Sequence, residues 1–295
     1  MGKEQKKEKV EVYHEKLLSF GKSLGKEIQE DQATGLAAEQ AYYYMLSLFP
    51  MLILLISIVP YLSIKPEEAI DVLQSVMPGE TAAIFKDNVA QFISQPNGGL
   101  LTVGILGTIW SASNGMNAFI RAMNQAYDVK EQRSFIKVRG LSILLTIGLI
   151  VTIVVSLLLP VFGGVLLNWI SEWFSLPSGT TVVLNILRWI IGVGIMVLVL
   201  SVLYRLAPNK TFPFAHVWPG ALAATLLWQL TSLGFSFYVS NFGNYSATYG
   251  SLGGVIVLML WLFLTGLILV IGGEINAIYH RNKTAAPPKD TSQAM

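Results

Sequence analysis

The sequence predicts an all-α, polytopic membrane protein with six transmembrane helices, and three observations predict it. Hydrophobic residues make up 53% of the 295-residue chain and charged residues only 13%, whereas a soluble domain carries roughly a quarter charged residues. Residues 211–273 hold no Asp, Glu, Lys or Arg, a run of 63 residues where one bilayer crossing needs about 20. The basic residues, finally, alternate between connections in the pattern that fixes a membrane topology.

The elements follow in chain order. Residues 1–35 are too polar for a cleaved signal peptide, so the first apolar run is expected to act as an uncleaved insertion signal. Val10, Tyr13, Leu17, Phe20, Leu24 and Ile28 recur at three- and four-residue steps among Lys, Glu, Ser and Gln, the pattern of an amphipathic helix. It lies either on the inner membrane surface or on the protein's own cytoplasmic face. Together, residues 1–35 form a cytoplasmic amino-terminal segment. The first span covers about 36–61, with Pro50 inside it as a kink. Residues 66–97 carry two short apolar stripes, Ile70, Leu73 and Met77, then Phe85, Val89 and Phe92, divided by Pro78-Gly79. They read as two amphipathic helices outside the membrane core.

The second span covers about 98–120, the third 141–169 and the fourth 181–204. The long uncharged tract then holds two more, 214–240 and 251–279, broken by the turn-forming residues 241–250. The membrane domain thus runs over 36–280, and residues 281–295, with Pro287-Pro288, form a flexible tail. Orientation comes from lysine and arginine. Seven precede the first span, five follow the second, two follow the fourth and three lie in the tail, seventeen in all; the other two connections hold only Lys65 and Lys86. This division places both termini in the cytoplasm and residues 66–97 outside.

Several chemistries are excluded. The chain has no cysteine, hence no disulfide, thiolate metal site or cysteine nucleophile. His14, His216 and His280 lack ligand-like spacing, so no metal site is expected. There is no Walker A motif, no dinucleotide-binding glycine pattern and no Gly-x-Ser-x-Gly. The basic residues sit where topology needs them and give no sign of nucleic-acid binding. No cofactor is expected.

The remaining candidates are polar residues inside spans. Ser113, Asn117, Arg121 and Asn124 share one face of the second span at helical spacing. They either join helices, with Gly107, Ser111 and Gly115 permitting close approach, or line a polar cavity open to the cytoplasm. Arg188 lies about two turns into the fourth span; it either snorkels to the outer surface or faces the bundle interior and binds an anionic group. Glu39, Arg121 and Glu274 fall at similar depth near the inner ends of three spans. A carboxylate–arginine cluster there would join helices or sense protons or ions, and pairing of Arg121 with Glu274 is the testable form. Gly272-Gly273 offers a point of local unwinding. Trp228 and Trp261 fall mid-span and are expected to pack, whereas Trp218 suits the interfacial belt.

Three stretches carry a family resemblance: AYYYMLSLFP at 41–50; residues 110–127 followed by Glu131 and Arg133; and Pro219-Gly220 through YGSLG at 249–253 to GEIN at 273–276. Together they resemble the YihY/BrkB family of bacterial inner-membrane proteins over about residues 33–279. The resemblance implies six spans and a cytoplasmic-membrane location. Similar proteins have carried a ribonuclease label, but the sequence offers no acidic metal cluster and no catalytic histidine pair, so no enzymatic activity is expected. The resemblance implies, by analogy only, handling of envelope lipids. The leading expectation is a transporter or flippase-like protein for a lipid, amphiphile or small solute, with Ser113, Asn117, Arg121, Arg188, Gln229, Asn241, Glu274 and Asn276 lining a cavity between spans two, four, five and six. The alternative is a non-catalytic scaffold for envelope-synthesis proteins. The expected partners are membrane lipids and, in the second case, those proteins.

Overall fold

The computed structural model describes residues 15, 18–58, 61, 97–150, 180–242 and 252–285, and every element among them is a helix. They are α1 (18–30), α2 (Ala33–Ile58), α3 (Gly98–Ala126), α4 (135–150), α5 (Thr180–Leu206), α6 (Phe214–Phe242) and α7 (Leu252–Ala285). The expected outer helices between 66 and 96, the third span beyond residue 150, the break at 243–250 and the tail beyond 285 lie outside the described residues, as do Val10, Tyr13 and Leu17.

Among the described residues, three helical segments are long and apolar enough to cross a membrane: Trp189–Leu206, Phe214–Asn241 and Gly253–Thr284. Their outward faces are apolar. On α6, Leu226, Leu230, Leu233 and Phe237 form an exposed stripe, and Val103, Leu106 and Trp110 form one on α3. Contiguous apolar surface of this kind is unfavourable in water and suited to lipid.

Small residues set the packing. Helix α2 packs most closely on α3, and α7 on α6 and α2. A Cβ at Gly104 would lie 2.9 Å from the Leu54 backbone, at Gly107 3.1 Å from Pro50 Cβ, and at Gly115 2.6 Å from the Tyr44 ring. These glycines therefore let α2 and α3 approach to backbone contact. Pro50 does not end α2; its ring fills the space that Gly107 leaves. Trp228 of α6 stacks obliquely on Trp261 of α7 with ring centroids 5.8 Å apart, the mid-span packing expected for both. Trp218 is about half exposed.

Both ends of α3 are explained locally. Asn97 caps α3 by accepting the Leu100 N–H at 2.9 Å. At the other end, Val129 N–H donates to Asn124 O at 2.8 Å and Asp128 N–H to Gln125 O at 2.9 Å. That is the paired bonding of a Schellman cap, with Asp128 in the left-handed region at φ 51°.

The buried core, including Phe119, Ile120, Met123, Tyr204, Val217 and Val270, is concentrated toward one end of the bundle. Helix α1, the loops 127–134 and 207–213 and the end of α7 meet at that end.

Candidate functional site: a carboxylate cluster at the polar end of the bundle

Helix α1 ends in a turn in which Gln32 takes φ 51°, and α2 starts one residue later. Glu27 and Asp31 are four residues apart and share one face of the last turn. Ile28, between them, packs against the core beside Leu36 and Tyr127. This end of α1 thus sits on the protein's own bundle.

The opposing surface comes from α7. Helix α7 runs unbroken through Gly272-Gly273, so the expected local unwinding is corrected. These glycines serve close packing instead. A Cβ on Gly272 would overlap the Tyr204 hydroxyl, and one on Gly273 would lie 2.7 Å from Met123 Sδ. Tyr204 Oη donates to Leu269 O at 2.8 Å, fixing α5 against the same turn. With α3, α5 and α6 this close, the next residues, Glu274 and Asn276, are wholly buried.

One carboxylate oxygen each from Glu27, Asp31 and Glu274 lies within 4.8 Å of the others. Neither Glu274 oxygen accepts a hydrogen bond from an N–H or hydroxyl among the described residues; its carboxyl faces that of Asp31 within hydrogen-bonding reach. At an effective dielectric near 20, two like charges at this separation repel by roughly 3 kcal/mol. Arg281 pairs with Glu27 at 2.6 Å and with Asp128 at 3.2 Å. Gln125 Nε2 donates to Asp31 Oδ1 at 3.4 Å. Partial burial pushes the Asp31 carboxyl up, the Gln125 hydrogen bond opposes it, and the charges of Asp128 and Glu27 add to it. Burial likewise pushes the Tyr127 phenol up, reinforced by the charge of Glu274; its hydroxyl is also buried without a partner.

A second network joins the two loops at this end. Asn124 Nδ2 donates to Glu131 Oε2 at 2.8 Å, and its Oδ1 accepts the Asn209 N–H at 2.7 Å. Asn209 Nδ2 donates to Lys130 O at 3.0 Å. Arg133 holds Glu131 through Nε and Nη2, at 2.8 and 2.6 Å, and reaches Ala207 O at 2.9 Å. The Arg133 hydrogen bond, with help from the Glu131–Asn124 contact, holds the Glu131 carboxyl down at about 2 despite some burial.

Comparison with known proteins bears on this arrangement. The family model described as Virulence factor BrkB matches residues 24–295. The chain belongs to this family. The ribonuclease-like protein YfkH of Bacillus subtilis is 44% identical over 266 residues, covering 90% of this chain and 97% of that protein. A UPF0761 membrane protein of Tolumonas auensis is 27% identical, covering 88% of this chain and 84% of its own. One from Vibrio vulnificus is 28% identical, covering 94% and 88%. No solved structure matches. The protein is therefore a membrane protein of the BrkB family, as the motif resemblance implies.

Within this BrkB protein the residues singled out from sequence fall in different surroundings. Ser113 is buried and donates to Trp110 O of its own helix at 2.8 Å. Asn117 and Gln229 are half-buried on α3 and α6. Arg121 pairs with Glu39 of α2 and not with Glu274, which corrects the Arg121–Glu274 pairing. Asn241 is exposed on the last turn of α6 and donates to Phe237 O at 2.8 Å. Asn276 Oδ1 accepts the Gly220 N–H at 2.7 Å, while its Nδ2 is buried without a partner among the described residues. The Arg188 side chain lies outside the described ones.

Two groupings that no sequence spacing indicates are also present. An acidic cluster exists, because Glu27 and Asp31 come from outside the spans and meet Glu274 only through the packing of α1. A histidine pair exists as well: His216 Nδ1 lies 2.7 Å from His280 Nδ1, so one of the two rings donates to the other. The residues lie 64 positions apart on α6 and α7, beyond any spacing rule. The signal for Glu27 and Asp31 was present as an i,i+4 carboxylate pair just before the first span. Nothing in the sequence pointed that face at Glu274.

Proposed function

We propose that this protein is a transporter or flippase-like protein for a lipid, amphiphile or small solute of the cell envelope. In this reading a six-span domain over residues 36–280, built on α2 to α7, lies in the cytoplasmic membrane with both termini cytoplasmic. Residues 1–35 are its cytoplasmic amino-terminal segment and 281–295 its tail. Membrane lipids are its partners, and it acts without nucleic acid or a resident cofactor.

Glu274 carries the reading. A structural polar residue satisfies its hydrogen bonds inside the protein, as Tyr204 does between α5 and α7 and Ser113 does within α3. Glu274 sits in an apolar span with both oxygens buried, and the group it faces is another carboxyl, that of Asp31, rather than an N–H or hydroxyl donor. A buried ionisable group of this kind is costly and in membranes characteristically serves ion or substrate movement. The chain has no Walker A motif, so the driving force is a gradient or a partner. In this reading Ser113, Asn117, Arg121, Arg188, Gln229, Asn241 and Asn276 are the other candidate path residues. The ribonuclease-like name of the Bacillus relative is not extended to this chain.

The alternative is a scaffold for envelope-synthesis proteins. It is favoured by the way Asn276 ties α7 to Gly220 of α6 and Asn241 bonds its own helix.

The experiment is reconstitution in liposomes with fluorescent phospholipids and small solutes, with and without proton and sodium gradients. The wild type should move at least one class, and Glu274→Gln should lose that movement while remaining monodisperse. Wild type and an Arg188→Ala/Glu274→Ala variant equally inert across the whole panel would sink the transport reading and leave the scaffold.

A further inference from the structure

We propose that Glu27, Asp31 and Glu274 form a binding site for a divalent cation of about calcium size, which fastens the end of α1 to α7. The three oxygens lie within 4.8 Å of one another. A point between three oxygens so spaced is no farther than about 2.8 Å from each, by simple triangle geometry. Calcium takes oxygen ligands at about 2.3–2.6 Å in flexible arrangements, so small side-chain shifts complete the fit. Magnesium, at about 2.0–2.1 Å, requires the carboxylates to be drawn in further or water to be kept between. All three ligands are hard carboxylate oxygens, which select calcium or magnesium rather than a soft metal.

A second observation is separate from the clustering. Glu274 is 0% exposed, and neither of its oxygens accepts a hydrogen bond from any described donor. A fully buried carboxyl facing two others is relieved either by a proton shared with one of them or by a cation between them, and only the cation offsets all three charges. The cation closest at hand, Arg281, is engaged by Glu27 and Asp128. Gln125 holds Asp31 through its amide nitrogen, and the buried Tyr127 phenol lies near enough to feel the charge of Glu274. The site joins two elements with no covalent link near it, so occupancy controls how firmly α1 is held. The inference shares Glu274 with the transport reading but does not require transport.

The test uses full-length, chelator-treated protein in a neutral detergent, with terbium as luminescent probe and calcium and magnesium as competitors. Binding should saturate at one ion per chain, with Tyr127 as a sensitiser. Calcium should displace terbium at lower concentration than magnesium. Asp31→Asn and Glu274→Gln should each weaken binding tenfold or more. The chain has no native cysteine, so spin labels on Ser23→Cys and Asn282→Cys can report the α1–α7 distance, which should narrow in distribution when calcium is added. Terbium emission equal to that of a Glu27→Gln/Asp31→Asn/Glu274→Gln triple variant would overturn the proposal. So would unchanged affinity in a well-folded Asp31→Asn, or a distance distribution indifferent to calcium. Transport by wild-type protein that shows no saturable terbium binding would leave the transport reading standing while the cation site fell; binding without any transport would do the reverse.

Discussion

Gly220 donates its backbone N–H to Asn276 Oδ1 across 2.7 Å, and no larger residue fits there. A Cβ on Gly220 would overlap the Gly272 carbonyl oxygen and lie 2.6 Å from Asn276 Cγ. Because one obstacle is backbone, it cannot rotate away. Overpacking of this kind costs about 1–3 kcal/mol, and Gly220→Ala should fall at or beyond the upper end. The apparent melting temperature in detergent should drop by roughly 5 °C or more. Gly234→Ala is the control: nothing lies within 4 Å of its Cβ position, so helix propensity alone should make it neutral or slightly stabilising.

Arg121 belongs with Glu39. The two side chains are 43% and 36% exposed, so the pair should contribute no more than about 1 kcal/mol. Exchanging the charges, Glu39→Arg with Arg121→Glu, should recover most of the stability lost by either single change. The exchange of Arg121 with Glu274 should recover none. A double-mutant cycle on melting temperature distinguishes the two.

Glu131 predicts a dependence on acid. Its carboxyl is held at about 2 in the folded chain against an ordinary value near 4.5. A carboxyl depressed on folding contributes its full stabilisation above the unfolded value, and the contribution fades as pH falls from about 4.5 toward 2. Glu131→Gln should therefore be less stable than wild type at pH 7, and the gap should narrow as pH falls from about 5 and close only near pH 2. A gap that stays constant over that range would mean the Arg133 contact gives no net stabilisation.

Asp128 occupies a left-handed cap position at φ 51°, where glycine has no steric penalty. Its contact with Arg281 is exposed and long, at 3.2 Å with 79% of the aspartate side chain accessible. Relief of strain should outweigh loss of that pair. Asp128→Gly is expected to raise stability by about 0.5–1 kcal/mol, read as a higher melting temperature; a decrease would show that the Arg281 contact matters more than the cap.

Much of the helical frame was legible in advance because bilayer-compatible helices announce themselves in composition. The start of α6 at Phe214 and the packing of Trp228 on Trp261 follow from an uncharged tract and its aromatic placement. Helix ends were less legible. The apolar stretch of the second span gives out near residue 120, yet α3 continues to Ala126, because its last turns are polar and are held by the core and a cap rather than by lipid. Glycines gave a mixed signal: Gly107 and Gly115 mark close approach in the sequence as in the fold, but Gly272-Gly273 looked like a point of unwinding and is instead a contact surface for Tyr204 and Met123.

By itself the sequence determined that this is a helical membrane protein of the BrkB family and which residues are polar inside it, because hydropathy, charge placement and motifs are properties of the chain read locally. Only the tertiary structure decided partnership. It assigned Arg121 to Glu39, joined His216 to His280, and brought Glu27 and Asp31 to Glu274. These pairs lie tens to hundreds of residues apart, and their meeting depends on how closely whole helices approach, which glycines at a few contact points set and no local pattern encodes.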